Sequence, residues 1–324
     1  MPRNPALLLA LALPAAVLLS PPASAWFPKG HSLIAEAAVR SLPEDAPRFL
    51  RSGAGLVAHC AQDPDVFKQR EAPALNDAEG PEHYIDWELL KGRPLPPRRS
   101  DYLKLCGELG VEPRNAGTVP YAIAEWTERL AVGLAEHRKW PANPYVQTKC
   151  QVYAGILAHY GGDLCMPLHT TLDHDGRARP DGSSPRTGIH AKLDSLIERL
   201  ELRPEELAKG QQPEAFDALI PAVTRQIEES RRLIDRAYQL QAQLPPASGP
   251  WTPSPEVTAF GTERARASTR FVASLYLTAW RKSASIRLPT WLEREQVRAL
   301  PPPGPRLAPG PVRKPESRTR NVRP

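Results

Sequence analysis

The 324-residue chain is short of cysteine, of β-type alternation and of long apolar runs, and each shortage removes a class of protein. Its cysteines, Cys60, Cys106, Cys150 and Cys165, never form a Cys-x-x-Cys pair, so a zinc site built on cysteine is excluded. In an exported chain an even count predicts disulfides instead, with three complete pairings that sequence does not rank. Strictly alternating apolar and polar residues are scarce, which argues against a sheet. The apolar run Leu7–Leu19 is shorter than the roughly 20 residues a membrane-crossing helix needs, and no stop-transfer pattern follows it. Charge is missing too. The formal +6 comes from Arg3 and from the stretch after Pro301, where Arg306, Arg313, Lys314, Arg318, Arg320 and Arg323 face only Glu316. Residues 26–300 are close to neutral, so overall charge gives no nucleic-acid footprint.

What is present begins with a leader. Arg3, the apolar run and the closing Ala23-Ser24-Ala25 read as a cleavable signal peptide over 1–25. Its removal places the protein outside the cytoplasm, secreted or periplasmic, and makes Trp26 the first mature residue. The remainder is long enough for one core and shows no internal repeat. The expected organisation is a single domain over 26–290 followed by a disordered, basic, proline-rich tail over 291–324.

The domain reads as all-α. Asn143-Pro144 is a helix cap with proline at the first helical position, and Val146, Cys150, Tyr153, Leu157 and Tyr160 continue one apolar face. Ser254-Pro255 repeats that start before a segment reaching Trp280. Phe216, Leu219, Val223, Ile227 and Ile234 mark another helix, and Ile123–His137 and Ala191–Leu200 carry the same spacing. Segments 68–82, 92–100 and 172–188 are rich in proline, glycine and charge and read as loops.

Metal-ligand side chains recur on this helical frame. His159 and Asp163 lie four apart and share a helix face, with Gly161 and Gly162 between them favouring a close approach. His169 follows Pro167. His190 and Asp194 repeat the four-residue interval, and His31 stands five residues after the expected free amino terminus of Trp26. Imidazole nitrogen with carboxylate oxygen suits zinc, so the pattern points to a multinuclear zinc site. His59, His137 and His174 are read as structural.

Trp26-x4-His31, the run from His159 through Asp163 to His169, and Gly-Ile-His190-Ala-Lys-Leu-Asp194 together resemble the trinuclear-zinc superfamily. That superfamily holds the single-strand-specific nucleases and the zinc-dependent phospholipases C. Asp63-Pro-Asp65-Val-Phe-Lys68 and Glu82-His83-Tyr-Ile-Asp86 fit it as well. The resemblance implies one all-α, multi-helix domain of that type with three zinc ions in a cleft. Asp65, His83, His159 and Asp163 would hold the first, with Asp63 the alternative to Asp65. His169, His190 and Asp194 would hold the second. The Trp26 amine and carbonyl, with His31 and a bridging Asp163, would hold the third.

Water activated between two ions about 3.5–4 Å apart would attack a phosphodiester, with Asp65 and Lys68 in the catalytic group. The short Trp26–His31 gap and an Asp at 194 resemble the nuclease branch, in which Tyr84 would stack on a base and Asp86 would bind it. The implied activity is hydrolysis of single-stranded DNA, RNA or nucleotides; the alternative is a phospholipase C acting on phosphatidylcholine-type lipids. No obligate protein partner is evident, and a monomer is expected. Three features depart from the nuclease pattern: Lys68 in place of an arginine, the run after His169 without Gly-Gly-Asn, and Leu193 before Asp194.

Overall fold

The computed structural model describes residues 27–294. The expected leader, Trp26 and all but the first few residues of the expected tail lie outside them. Among the described residues the regular structure is helical, with one isolated bridge between His174 and Gly176 and no strand.

A buried helix, Pro144–Leu164, is the axis of the domain. Asn143 starts it as expected: its Oδ1 accepts the amides of Tyr145 and Val146 at 3.0 and 3.2 Å, and Pro144 costs no hydrogen bond at the first position. Around it pack Pro28–Arg40, Ala54–Cys60, Val119–Lys139 and the long Pro255–Lys282 helix. Ser254 caps the last of these through the Val257 amide at 3.2 Å. Ile34, Leu130, Leu134, Leu157, Val272 and Leu275 are fully buried between these helices. Tyr276 is also buried and donates its hydroxyl to the Ala154 carbonyl at 2.8 Å.

Two glycines let the axis be approached closely. A Cβ at Gly155 would stand 2.6 Å from Cys60 Cβ and from the Val57 carbonyl, so the Ala54–Cys60 helix rests directly on the backbone there. A Cβ at Gly161 would stand 2.9 Å from Val272 Cγ2. The close approach expected at Gly161 is therefore made by the Pro255–Lys282 helix.

Several expectations need correction. The segment read as a loop over 68–82 contains the helix Pro73–Glu79 and the 3-10 turn Gly80–His83, because Pro73 and Pro81 occupy first-turn positions where proline is tolerated. Similarly, Arg99, at the end of the 92–100 segment, already begins the helix Arg99–Leu109. The helix expected from Phe216 to Ile234 is two, Leu219–Arg231 and Ile234–Gln239, and Phe216 precedes both. Ala191–Leu200 likewise splits into Ile189–Asp194 and Leu196–Arg199 around Ser195.

The expected disulfides are absent: all four cysteines are free and buried. Cys150 and Cys165 sit fifteen residues apart on and just beyond one helix, about 22 Å along its axis at 1.5 Å per residue. A disulfide needs Cα atoms within about 7 Å. Cys60 lies against Gly155, Cys150 against Gly133, and Cys106 beside Tyr102, each as a small apolar core residue. No helix among the described residues is long and apolar enough to cross a membrane.

Candidate metal centre

Each ligand candidate is delivered by a helix end or a helix face beside the Pro144–Leu164 axis. That helix supplies His159 and Asp163 on one face near its C-terminus. Pro28–Arg40 supplies His31, and the short Asp63–Phe67 turn supplies Asp65. The 3-10 turns Gly80–His83 and Pro167–Thr170 supply His83 and His169, while Ile189–Asp194 supplies His190 and Asp194. Phe27 donates its amide to the Asp194 carbonyl at 3.2 Å, which ties the start of the described chain beside the last of these helices.

Three groups of side chains bring ligand atoms within 4.8 Å of one another: His31, His159 and Asp163; Asp65, His83 and His159; His169, His190 and Asp194. Asp163 shows a different oxygen to side chains of two of the expected positions. Its Oδ1 is 3.2 Å from His31 Nε2, and its Oδ2 is 3.0 Å from His83 Nδ1 and 3.4 Å from His159 Nε2. His159 Nε2 is 3.0 Å from His83 Nδ1 and 3.8 Å from Asp65 Oδ1. In the third group His190 Nε2 is 3.0 Å from His169 Nε2 and 3.2 Å from Asp194 Oδ2. Of the two aspartates left open by sequence, Asp65 belongs to a group, whereas Asp63 lies by Cys60. Trp26 falls outside the described residues.

The hydrogen bonds behind the imidazoles fix their tautomers. His159 Nδ1 donates to the Ala61 carbonyl at 2.8 Å, His169 Nδ1 to the His83 carbonyl at 2.6 Å, and His190 Nδ1 to the His174 carbonyl at 3.1 Å. A carbonyl only accepts, so the proton sits on Nδ1 and the Nε2 lone pair points inward. Burial keeps these rings neutral, with His159 pushed down to about 4 and His169 to about 3.

The carboxylates complete the picture. Burial drives Asp163 and Asp194 well above the usual carboxylate range, with the nearby Asp65 adding to it. Asp65 itself is raised by burial, but His159, Lys68 and His31 outweigh that and hold it well below its ordinary value. Lys68 Nζ sits 2.7 Å from Asp65 Oδ1.

Buried atoms with no hydrogen bond cluster at this place: both nitrogens of His31, Asp163 Oδ1 and both carboxylate oxygens of Asp194. Inward lone pairs, unsatisfied carboxylate oxygens and neutral rings form a donor set that fits a divalent cation and fits little else.

A cleft of about 580 Å³ opens onto these groups. Lys68, His83, His169 and His190 line it, as do the expected substrate residues Tyr84 and Asp86. Tyr84 donates its hydroxyl to the Arg114 carbonyl, which fixes the ring. Asp86 is buried, and burial with Glu88 nearby pushes it up to about 7 despite Arg231. Leu89, Leu168 and Leu172 give the cleft apolar walls, and the 172–188 loop adds His174, Asp181 and Gly182.

Two residues were missed from sequence. His174, read as structural, lines the cleft and lends its carbonyl to His190. Glu79 is buried beside His83, with Oε1 at 3.4 Å from His83 Nε2. Its signal was the interval Glu79-x3-His83, the same four-residue step that marks the other pairs. His137 stays structural, packed on Phe49 at 4.5 Å between ring centroids.

No family model matches the chain, and no curated protein matches it. Among solved structures, the alpha toxin of Clostridium absonum is 14% identical with a TM-score of 0.42, covering 81% of this chain and 67% of its own. The alpha-toxin of an avian strain of Clostridium perfringens is 12% identical with a TM-score of 0.39, covering 80% and 65%. The chain thus spans about two thirds of the length of each. At this depth of overlap the likeness adds nothing to what the side chains themselves say.

Proposed function

We propose that this chain is a zinc-dependent phosphodiester hydrolase. The carrying observation is the convergence of His31, Asp65, His83, His159, Asp163, His169, His190 and Asp194, with the Nε2 lone pairs of His159, His169 and His190 turned inward. Nitrogen and carboxylate donors without cysteine suit zinc. Asp65, His83, His159 and Asp163 are assigned to one ion, His169, His190 and Asp194 to a second, and His31, Asp163 and the free terminus of Trp26 to a third.

Bound zinc supplies Lewis acidity, which polarises a phosphoryl oxygen and lowers the pKa of water towards 7. The chain's own groups do the rest. Asp65 stays ionised and is the carboxylate available to orient the attacking water. Lys68 lines the cleft and places a positive charge where phosphoryl charge builds up. Lysine offers a point charge where arginine would offer a two-pronged clamp.

Tyr84 and Asp86 in the same cleft support a single-stranded nucleic acid or nucleotide as substrate. An aromatic face stacks on any base for about 1–3 kcal/mol, and a carboxyl can hold a base edge. The apolar walls of Leu89, Leu168 and Leu172 support the second reading, a phosphatidylcholine-type lipid. The trimmed protein, assayed side by side on denatured DNA, RNA and phosphatidylcholine with and without chelator, tests both. Chelator-sensitive cleavage of nucleic acid alone supports the first reading and of lipid alone the second; zinc uptake without turnover of any of them overturns the proposal.

A further inference from the structure

Three of the buried histidines keep their outer nitrogen on a backbone carbonyl, as His159 does with Ala61, His169 with His83 and His190 with His174. His83 is turned the other way. Its Nδ1 faces the site, 3.0 Å from both Asp163 Oδ2 and His159 Nε2, so a ring that ligates an ion through Nδ1 would carry its proton on Nε2. Glu79 Oε1 stands 3.4 Å from that nitrogen, at ion-pair distance though not aligned as a hydrogen bond. The same oxygen accepts the Tyr160 hydroxyl, and the Tyr160 ring stands edge-on to His83 with centroids 5.7 Å apart. Tyr160 adjoins His159 in sequence, so one turn of the axial helix presents an inward ligand and the tether of this carboxylate. A buried carboxylate is costly without a partner that needs it, and a histidine that ligates through one nitrogen needs an acceptor on the other.

We propose that Glu79 is a positioning residue: held by Tyr160, it fixes the Nε2–H form of His83 and so aims the Nδ1 lone pair at the ion shared with Asp65, His159 and Asp163. The proposal rests on the zinc reading above and adds to it a group that lies behind the ligands. Carboxylates in this place orient the ring and raise its basicity, and their loss costs 10–100-fold in metal affinity in comparable sites.

The experiment is a zinc titration against a competing chelator, with melting temperatures of the zinc-free and zinc-loaded full mature chain, for wild type, Glu79→Gln and Tyr160→Phe. Glu79→Gln is expected to weaken one zinc about 10–100-fold and leave the others unchanged. Its zinc-free melting temperature stays level or rises, because a buried carboxylate has become a neutral amide, while its zinc-loaded melting temperature falls. A residue that merely packs would move both melting temperatures together, and that result overturns the proposal. So does wild-type zinc affinity in Glu79→Gln. Should Glu79→Gln fail to fold, cobalt-loaded Tyr160→Phe decides: shifted visible bands with weaker binding support the role, and wild-type bands and affinity overturn it. A wild-type chain that takes up no zinc removes the zinc reading as well; wild-type uptake with unaffected variants removes only this one.

Discussion

The Nε2 atoms of His169 and His190 stand 3.0 Å apart, each in a ring whose Nδ1 proton is committed to a backbone carbonyl. Two neutral imidazoles in that arrangement have no proton to share between them, so their lone pairs confront each other across a buried gap. A cation held by both would turn repulsion into coordination, with Asp194, on the helix of His190, supplying compensating charge. Removing metal with a chelator is therefore expected to lower the melting temperature by several degrees, with restoration by zinc. Scanning calorimetry of the stripped and reloaded protein checks it, and an unchanged transition would count against a structural ion.

Asp163 faces His31 with one oxygen and His83 with the other. Asp163→Asn should accordingly lose more zinc per chain than His31→Ala, which touches one position. Elemental analysis of the two variants reads this directly. Equal, mild losses would contradict the bridging role.

The leading amine of Trp26 is assigned to an ion, and Phe27 is already tied to the Asp194 carbonyl. A methionine or tag left ahead of Trp26 should lower zinc content by about one atom per chain, because the amine becomes part of a peptide bond. Unchanged stoichiometry would remove Trp26 from the ligand set.

Asp86 gives a pH dependence with a definite sign. Burial raises its carboxyl to about 7, against an ordinary value near 3.8 in the unfolded chain. Between those values the folded state holds the extra proton, so stability from this group is present at low pH and is lost as pH rises towards 7. Asp86→Asn removes that loss. The variant's stability advantage over wild type should grow from pH 4 to pH 8 by on the order of a few kcal/mol. Denaturant midpoints in chelator at both pH values measure it, and a constant difference would refute it.

Gly155→Ala should destabilise by about 1–3 kcal/mol, since the new methyl meets Cys60 Cβ and the Val57 carbonyl at 2.6 Å. The urea midpoint checks it.

Local chemistry was readable where one residue decides it. Asn143-Pro144 and Ser254-Pro255 announce their helices because a cap and a fixed φ act within one turn. His159 with Asp163 and His190 with Asp194 were legible because four residues make one helical step. Pro73–Glu79 was hidden: prolines and charges that mark a loop also suit a short helix. Glu79 was missed because its interval to His83 crosses from that helix into a 3-10 turn. The break before Ile234 was hidden because the apolar spacing runs on across it. Parity misled on the cysteines; their apolar character placed them in separate parts of the core instead.

A carboxylate that shows a separate oxygen to each of two neighbouring positions makes their filling interdependent. An ion bound at one position would order Asp163 and favour its ionised form, leaving the second oxygen aligned towards the other. On the zinc reading, the occupancy of the two positions would rise together with metal concentration rather than in independent steps.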